Sequence, residues 1–493
     1  MSDIVIVGAG IGGLAAALAV GRQGRRVIVC ERDAAPVPAS TEEMWSAWSR
    51  PGTAHAPLGH GFLPGFRALL RERAPDVLEC LWEAGAPPFD SAPDLPGDER
   101  LAEDAEMTGI MCRRAILEGI LRQVVQAEPA VELRTGCAVS GLVAEPSSLD
   151  GVPRVTGVRT RDGAAIAAEC VIVSGGRLMP VRRWLDDIGA GAPAESDEGC
   201  GFGCYTRYFR IRLDAGEDYR VATQLTTISD LSYMKYSFFG ADQGTFCVEF
   251  LVPAWDPALR GLRDEVAFMA AARLMPEGPA WLDPERSTPI GPIAAIGQER
   301  NLLRGFVRDG RPLALGLHVI GDARCQTNSE YAWGAALALA EAMTVADLLT
   351  EHGGDALAQA LAFEARLGEE ITGRHRLAVE RDRACMRAYR GESQGGAAAT
   401  EDGGIEALLG AAASEDATVF RAVRRREMQL DPMDMLAQNT AVLERARELA
   451  AVRQPAMESP ERRGPTRDEL LQVIAEARPR QSEAGRRVPA QRL

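Results

Sequence analysis

"IVIVGAGIGGLAAALAVGRQGRRVIVCERD", residues 4–33, places a glycine knot and an alanine-rich stretch between two apolar runs, the second ending in an acid. The runs predict buried parallel strands over 3–8 and 26–31, and the stretch between them predicts a helix from about Gly12 to Gly24, together one βαβ unit. Gly8-x-Gly10-x-x-Gly13 supplies a tight turn, room for backbone to approach a pyrophosphate, and close packing of helix on strand. The free N–H groups at the helix start then face phosphates. Glu31 follows Gly10 by 21 residues, where a carboxylate accepts hydrogen bonds from an adenosine ribose. The segment reads as a Rossmann-like dinucleotide-binding unit, and its alternative is a glycine-rich turn in an unrelated α/β protein.

Composition bounds what surrounds this unit. With 493 residues, 46% of them apolar, the chain is long enough for two packed domains or one large composite. No run reaches the roughly 18 uncharged apolar residues of a membrane span, and the chain enters a strand at once, so a cytoplasmic protein without a membrane span is expected. A net charge of −15 argues against nucleic-acid and anionic-membrane partners. Ten cysteines are scattered without a Cys-x-x-Cys pair and read as buried thiols, with "CGFGC" (Cys200 and Cys204) as a less favoured redox pair. Five unclustered histidines predict no metal site. Lys235 is the only lysine.

Further along, residues 34–60 read as a long functional loop, 64–84 and 110–127 as helical, and 131–145 and 154–176 as strand segments, the second holding an Asp162-Gly163 hairpin turn. "YTRYFRIRL" (205–213) and "YMKYSFFGADQGTFCVEFLV" (233–252) alternate and are aromatic, which suits an antiparallel sheet with one covered face. The apolar strand of 312–323 runs into a helix over about 332–352. "GESQGGAAATEDGG" (391–404) reads as a joint. These elements predict an α/β fold in which an N-terminal Rossmann-like βαβ domain (1–180 and 290–350) interleaves with an antiparallel-sheet substrate domain (181–289). A helical C-terminal extension (351–457) and a disordered tail (458–493) follow.

A second motif points to one cofactor. "GLHVIGDARCQTNSEYAWGAALALAEA" (316–342) is a strand ending in Gly321-Asp322, a loop, and a helix starting near Gly334. It resembles the Gly-Asp motif of FAD-dependent monooxygenases, which have a PHBH-like flavoprotein fold. The resemblance covers about 1–390, and its nearest form is the polyether-epoxidase-like branch. "RPGTAHAPLGHGFL" is similar to that branch's Arg-x-Gly-x-x-Gln-x-x-His-x-His segment at Arg50, Gly52 and His60, with His55 and Leu58 as departures. "CRRAILEGIL" resembles its Ser-Arg-x-x-Leu helix, "VIVSGGRLMPVRRWL" its Asp-x-x-Gly-Arg strand end with Val173 in place of the Asp, and "YTRYFRIR" its Thr-Arg-x-Phe-Arg strand.

The resemblance implies FAD as cofactor, held by Gly8, Gly10, Gly12, Gly13, Glu31, Arg32, Arg114, Val139, Gly321, Asp322, Ala332 and Gly334. In the loop after Asp322, Ser329 and Ala332 stand where the family usually has proline and glycine, so a looser fit to the flavin is expected. Reduced FAD would react with O2 through a C4a-hydroperoxide, and one oxygen would pass to an apolar alkene or aromatic substrate by epoxidation or hydroxylation, as in secondary metabolism. The cofactor carries such chemistry, which accounts for the lack of an obvious catalytic constellation. His60 is either an active-site residue or a structural histidine. The expected substrate lining is Tyr205, Phe238, Phe246 and Trp333, while Trp45 and Trp48 read as packing residues and Arg177, Arg182 and Arg183 as surface arginines. Electrons would come from transiently bound NAD(P)H or from a partner reductase. Flavin halogenases are set aside because Lys235 lies in an aromatic strand and no Trp-x-Trp-x-Ile-Pro segment occurs. An alkene reductase and a non-catalytic binding protein on the same fold are the alternatives.

Overall fold

The computed structural model describes residues 4–97, 100–212, 226–297, 299–392, 401–452 and 464–477. Its first layer is a parallel sheet in the order Leu317–Val319, Cys170–Val173, Ile4–Val7, Val27–Cys30 and Val131–Arg134. These strands are apolar without alternation because both faces are covered. Ile4, Ile6, Val27 and Val29 join the core that also takes the helices Ile11–Arg22, Arg114–Ala127 and Trp333–Glu351. Val5, Val7, Ile28 and Val171 point the other way, onto Val155, Val158, Trp184 and Leu185. Trp333–Glu351 is the one helix among the described residues long and apolar enough to cross a membrane, and most of it is buried in this core.

The second layer is antiparallel, in the order Thr226–Asp230, Lys235–Gly240, Thr245–Pro253, Phe202–Ile211 and Ser287–Pro289, with Ala294–Ile296 also on Phe202–Ile211. The sheet region therefore runs past residue 289. One face is closed by the helix Glu265–Leu274 and, unexpectedly, by Arg467–Ala477: Leu470 and Ile474 pack into a core with Phe246, Phe250 and Phe268. The expectation of disorder over 458–493 is corrected for 464–477, which Arg467 ties to Asp256 at 2.9 Å and Pro465 ties to the Tyr233 hydroxyl at 3.0 Å. The remainder of that tail lies outside the described residues, as does 393–400 of the expected joint.

One buried ion pair fixes the layers against each other, and two further contacts dock the C-terminal helices. The Arg113 guanidinium, fully buried at the start of its helix, donates to Asp242 at 2.6 Å across to the turn after Lys235–Gly240. Arg421 and Arg424, on the helix Ala417–Glu427, reach Asp104 at 2.8 Å and the Ser91 carbonyl at 2.6 Å. The C-terminal helices thus dock on the loops of the first layer. The expected 64–84 helix is two, Pro64–Arg73 and Pro75–Glu83, because Pro75 cannot continue the first and suits the first turn of the second.

Candidate active site

One cavity of about 900 Å³ runs between the layers, from the Gly8–Gly13 turn to the antiparallel sheet. At its first end the glycines act as the spacing predicts. Gly8 sits at φ +101°, and a Cβ on Gly13 would lie 2.0 Å from the Gly8 carbonyl oxygen, so neither tolerates a side chain. A Cβ on Gly10 would meet no protein atom within 4 Å: its open side is the cavity wall, a cradle shaped for a ligand that comes against backbone. Glu31 Oε2 accepts the Ala9 N–H and Oε1 the Asp33 N–H, both at 2.8 Å, which ties the turn to the end of the second strand. Arg50 stands 3.7 Å from Glu31, 3.3 Å from Asp33 and 3.0 Å from Glu118, so this end carries a compact charge network. Arg32 and Val139 line the same end.

Midway, Asp322, Arg114 and His60 face the cavity. Burial pushes the Asp322 carboxyl up against the pull of Arg114 and Arg177. The His60 Nδ1–H donates to the Leu58 carbonyl at 2.9 Å, and burial with Arg114 nearby takes its pKa down to about 3. The imidazole is therefore neutral at ordinary pH and serves as a hydrogen-bonding wall, not a proton carrier near pH 7. Arg114 itself holds Glu118 at 2.8 Å.

The loop after Asp322 keeps its shape by polar ties in place of the missing proline. Asn328 Nδ2 and the Tyr331 hydroxyl donate to Asp382 at 2.8 Å each, and the Ser329 hydroxyl donates to Glu299 at 2.7 Å. Ala332 adopts φ 54°, ψ 18°, the left-handed geometry expected of the glycine it replaces. Gly321, Gly334 and Trp333 also line the cavity, and the Trp333 Nε1–H donates to the Glu427 carbonyl at 2.9 Å.

The expected substrate lining needs correction. Tyr205, Phe238 and Phe246 do not reach the cavity; they belong to the core under Glu265–Leu274 and Arg467–Ala477. Side chains alternate across a strand, and the aromatic parity is the one the helices cover. The opposite parity, Lys235, Ser237 and Phe239 on one strand and Glu249 and Leu251 on the next, lines the cavity. The Lys235 ammonium meets Glu330 of the loop at 2.5 Å. Burial works against that ammonium, and Glu330 more than offsets it, leaving its pKa above the ordinary value. Burial raises the Glu249 carboxyl, whose Oε2 accepts the Thr206 hydroxyl at 2.7 Å. Lysine beside the cavity removes one of the two grounds against a halogenase, and the absent Trp-x-Trp-x-Ile-Pro segment remains.

Arg177 lines the cavity, contrary to the surface reading, whereas Arg182 and Arg183 are exposed. Trp45 and Trp48 pack as expected, under Arg113 at 5.1 Å and Arg50 at 4.7 Å. Sequence reasoning missed Arg424, Glu427 and Met428, which close the cavity from the C-terminal extension; no signal in that segment alone pointed to them. Cys200 and Cys204 are free thiols, and among the described residues no cluster suits a metal ion.

Residues 3–176 match the family model described as FAD dependent oxidoreductase. No curated protein sequence matches the chain. Among solved structures, the fold is similar to that of PqsL, a probable FAD-dependent monooxygenase from Pseudomonas aeruginosa, with TM-score 0.55 and 18% identity over 79% of this chain and 99% of that one. It is similar to 2-methyl-3-hydroxypyridine-5-carboxylic acid oxygenase (mutant Y270A; TM-score 0.55, 15% identity, 82% and 95% covered). The flavin-dependent halogenase CmlS aligns with TM-score 0.55 and 15% identity over 96% of this chain and 76% of that one. The two-layer arrangement is thus the fold of flavoprotein monooxygenases, and the segment that matches the FAD dependent oxidoreductase model is the one that carries the glycine cradle.

Proposed function

We propose that the protein is a cytoplasmic flavin-dependent monooxygenase that places one oxygen atom of O2 on a small aromatic or alkene substrate. The observation that carries the reading is the continuity of one cavity from the Gly10 cradle, past Asp322, to the antiparallel sheet. Such a cavity holds a dinucleotide at one end and a second molecule beside its reactive ring at the other.

FAD, when bound, supplies the activation of O2 and the oxygen transfer. The chain's part is to bind, orient and exclude water. The Gly8–Gly13 turn and Arg114 would hold the pyrophosphate, Glu31 the adenosine ribose, and Asp322 the ribityl chain. Leu58, Phe239, Leu251 and Trp333 give the cavity apolar wall that keeps water from the reacting carbon. His60, neutral, leaves one ring nitrogen for a hydrogen bond without bringing charge. The sequence carries a single Gly-x-Gly-x-x-Gly, so we assign electron delivery to an external donor, preferably a partner flavin reductase over transiently bound NAD(P)H.

The absorption spectrum of the purified protein after addition of FAD tests the cofactor, and an oxygen electrode tests the reaction. Flavin bands that stay with the protein, and O2 uptake matched to product, are expected. A colourless protein that takes up no FAD, or turnover without O2 uptake, overturns the reading; the latter outcome is that of the alkene reductase.

A further inference from the structure

Three polar atoms on the sheet side of the cavity are buried without a hydrogen-bond partner among the described residues: Ser237 Oγ, Thr226 Oγ1 and Glu330 Oε2. Ser237 is only 3% exposed, and its neighbours Tyr236 and Phe238 point to the opposite face, into the aromatic core. Thr226 lies across from Phe239 and Ile228 across from Ser237, so the two hydroxyls are diagonal neighbours on one face of paired strands. Lys235, two residues before Ser237 on the same face, brings Glu330 to the patch by taking its other oxygen. Buried polar atoms are as a rule hydrogen-bonded, so three gathered on one cavity wall mark a place where a ligand's donors would be received.

We infer that this patch is a substrate subsite for a primary amino group, with Glu330 Oε2 and the hydroxyls of Ser237 and Thr226 receiving and orienting its N–H bonds. The carboxylate Oε2 can only accept, and the hydroxyls rotate to accept as well. An amino group offers enough donors for more than one of these atoms, a phenol offers one, and a carboxylate offers none. The Glu249 and Glu299 carboxyls also line this part of the cavity, which disfavours an anion further. The assignment names the substrate class of the oxygenase proposed above and rests on that reading.

The test titrates the full chain, loaded with FAD, with 2-naphthylamine, 2-naphthol and 2-naphthoate by calorimetry at pH 8. The ring is constant and only the donor count changes. The amine is expected to bind about tenfold more tightly than the carboxylate, with the naphthol between. Ser237→Ala and Glu330→Gln are each expected to shrink the amine's advantage to about threefold or less. Ser237→Ala leaves the Lys235 ion pair intact, so the proposal stands on a variant that folds. Equal or tighter binding of 2-naphthoate, no binding of any of the three, or an amine preference untouched by both substitutions overturns it. The absorption spectrum reports FAD loading before any titration, so failure of the flavin reading is seen separately from failure of the subsite.

Discussion

At the dinucleotide end the cavity wall is mostly backbone: the Gly8–Gly13 turn, a helix start, and one carboxylate, Glu31, fixed by two N–H groups at 2.8 Å. At the sheet end it is side chains on alternating strand positions, Lys235, Ser237, Phe239 and Glu249, with a loop and a C-terminal helix closing over them. The turn and Glu31 at the first end lie within thirty consecutive residues. The second is assembled from segments as far apart as Thr226, Glu330 and Glu427, so its chemistry depends on which face of each strand is covered by something else. Local sequence therefore determines the shape of the first end, and long-range packing determines that of the second.

Substitutions that respect or violate strand parity give the largest expected effect. Phe246→Ala empties a core position beneath Glu265–Leu274 and is expected to lower unfolding free energy by about 3–5 kcal/mol in urea denaturation. Its effect on ligand binding should be slight, the reverse of Ser237→Ala. A Phe246→Ala protein that keeps its stability but loses small-molecule binding would put the aromatic face back in the site.

At the other end, Glu31→Ala removes a carboxylate placed for the ribose. Loss of charge-assisted hydrogen bonds costs about 1.5–3 kcal/mol, roughly a ten- to hundredfold weaker FAD titration. Glu31→Gln, which keeps one acceptor for the Ala9 N–H, is expected to fall between. Parent-like FAD affinity in Glu31→Ala removes the residue from the site.

Glu341 sharpens the comparison through pH. Its Oε2 accepts the Gly321 N–H at 2.6 Å behind the Gly-Asp motif, and burial raises its pKa from 4.5 to about 7 in spite of Arg324. Between those values the folded chain binds more protons at this site than the unfolded chain, so stability from this group is full below 4.5 and is lost as pH rises through 7. Glu341→Gln, always neutral, is expected to gain up to about 3 kcal/mol on the parent between pH 4.5 and pH 8. Unfolding free energies of the two proteins at both pH values measure it, and a pH-independent difference contradicts it.

The smallest effect is at Ala332. Its φ of 54° costs an alanine about 1 kcal/mol over glycine, so Ala332→Gly is expected to raise stability by about that amount in thermal unfolding and to hold FAD at least as well. Ser329→Pro, attractive from the family pattern alone, goes the other way here. Both the Ser329 N–H and its hydroxyl donate to the buried Glu299, and proline removes both, which is expected to lower stability by about 1–3 kcal/mol. An unchanged melting temperature in Ser329→Pro would mean that Glu299 finds other partners.

By itself the sequence determined the βαβ unit to within about two residues, the tight turn at Gly8, Gly10 and Gly13, the place of Glu31 at the end of the second strand, and the Gly-Asp strand and helix. Each of these is a local device: a turn that needs glycine, a strand whose two faces are both buried, a carboxylate at a fixed distance along the chain. It also showed that an antiparallel aromatic sheet follows, because alternation is local too. Which parity of that sheet faces the ligand was decided only in the tertiary structure. The alternation is legible, but its direction depends on the helix Arg467–Ala477, over two hundred residues beyond Phe246 and set in a segment whose arginine, proline and glutamate content resembles that of disordered chain. The same holds for Arg177, which lines the cavity, for Lys235, held there by Glu330, and for the loop at Ser329, where Glu299 and Asp382 do by hydrogen bonding what a proline does by covalent restriction.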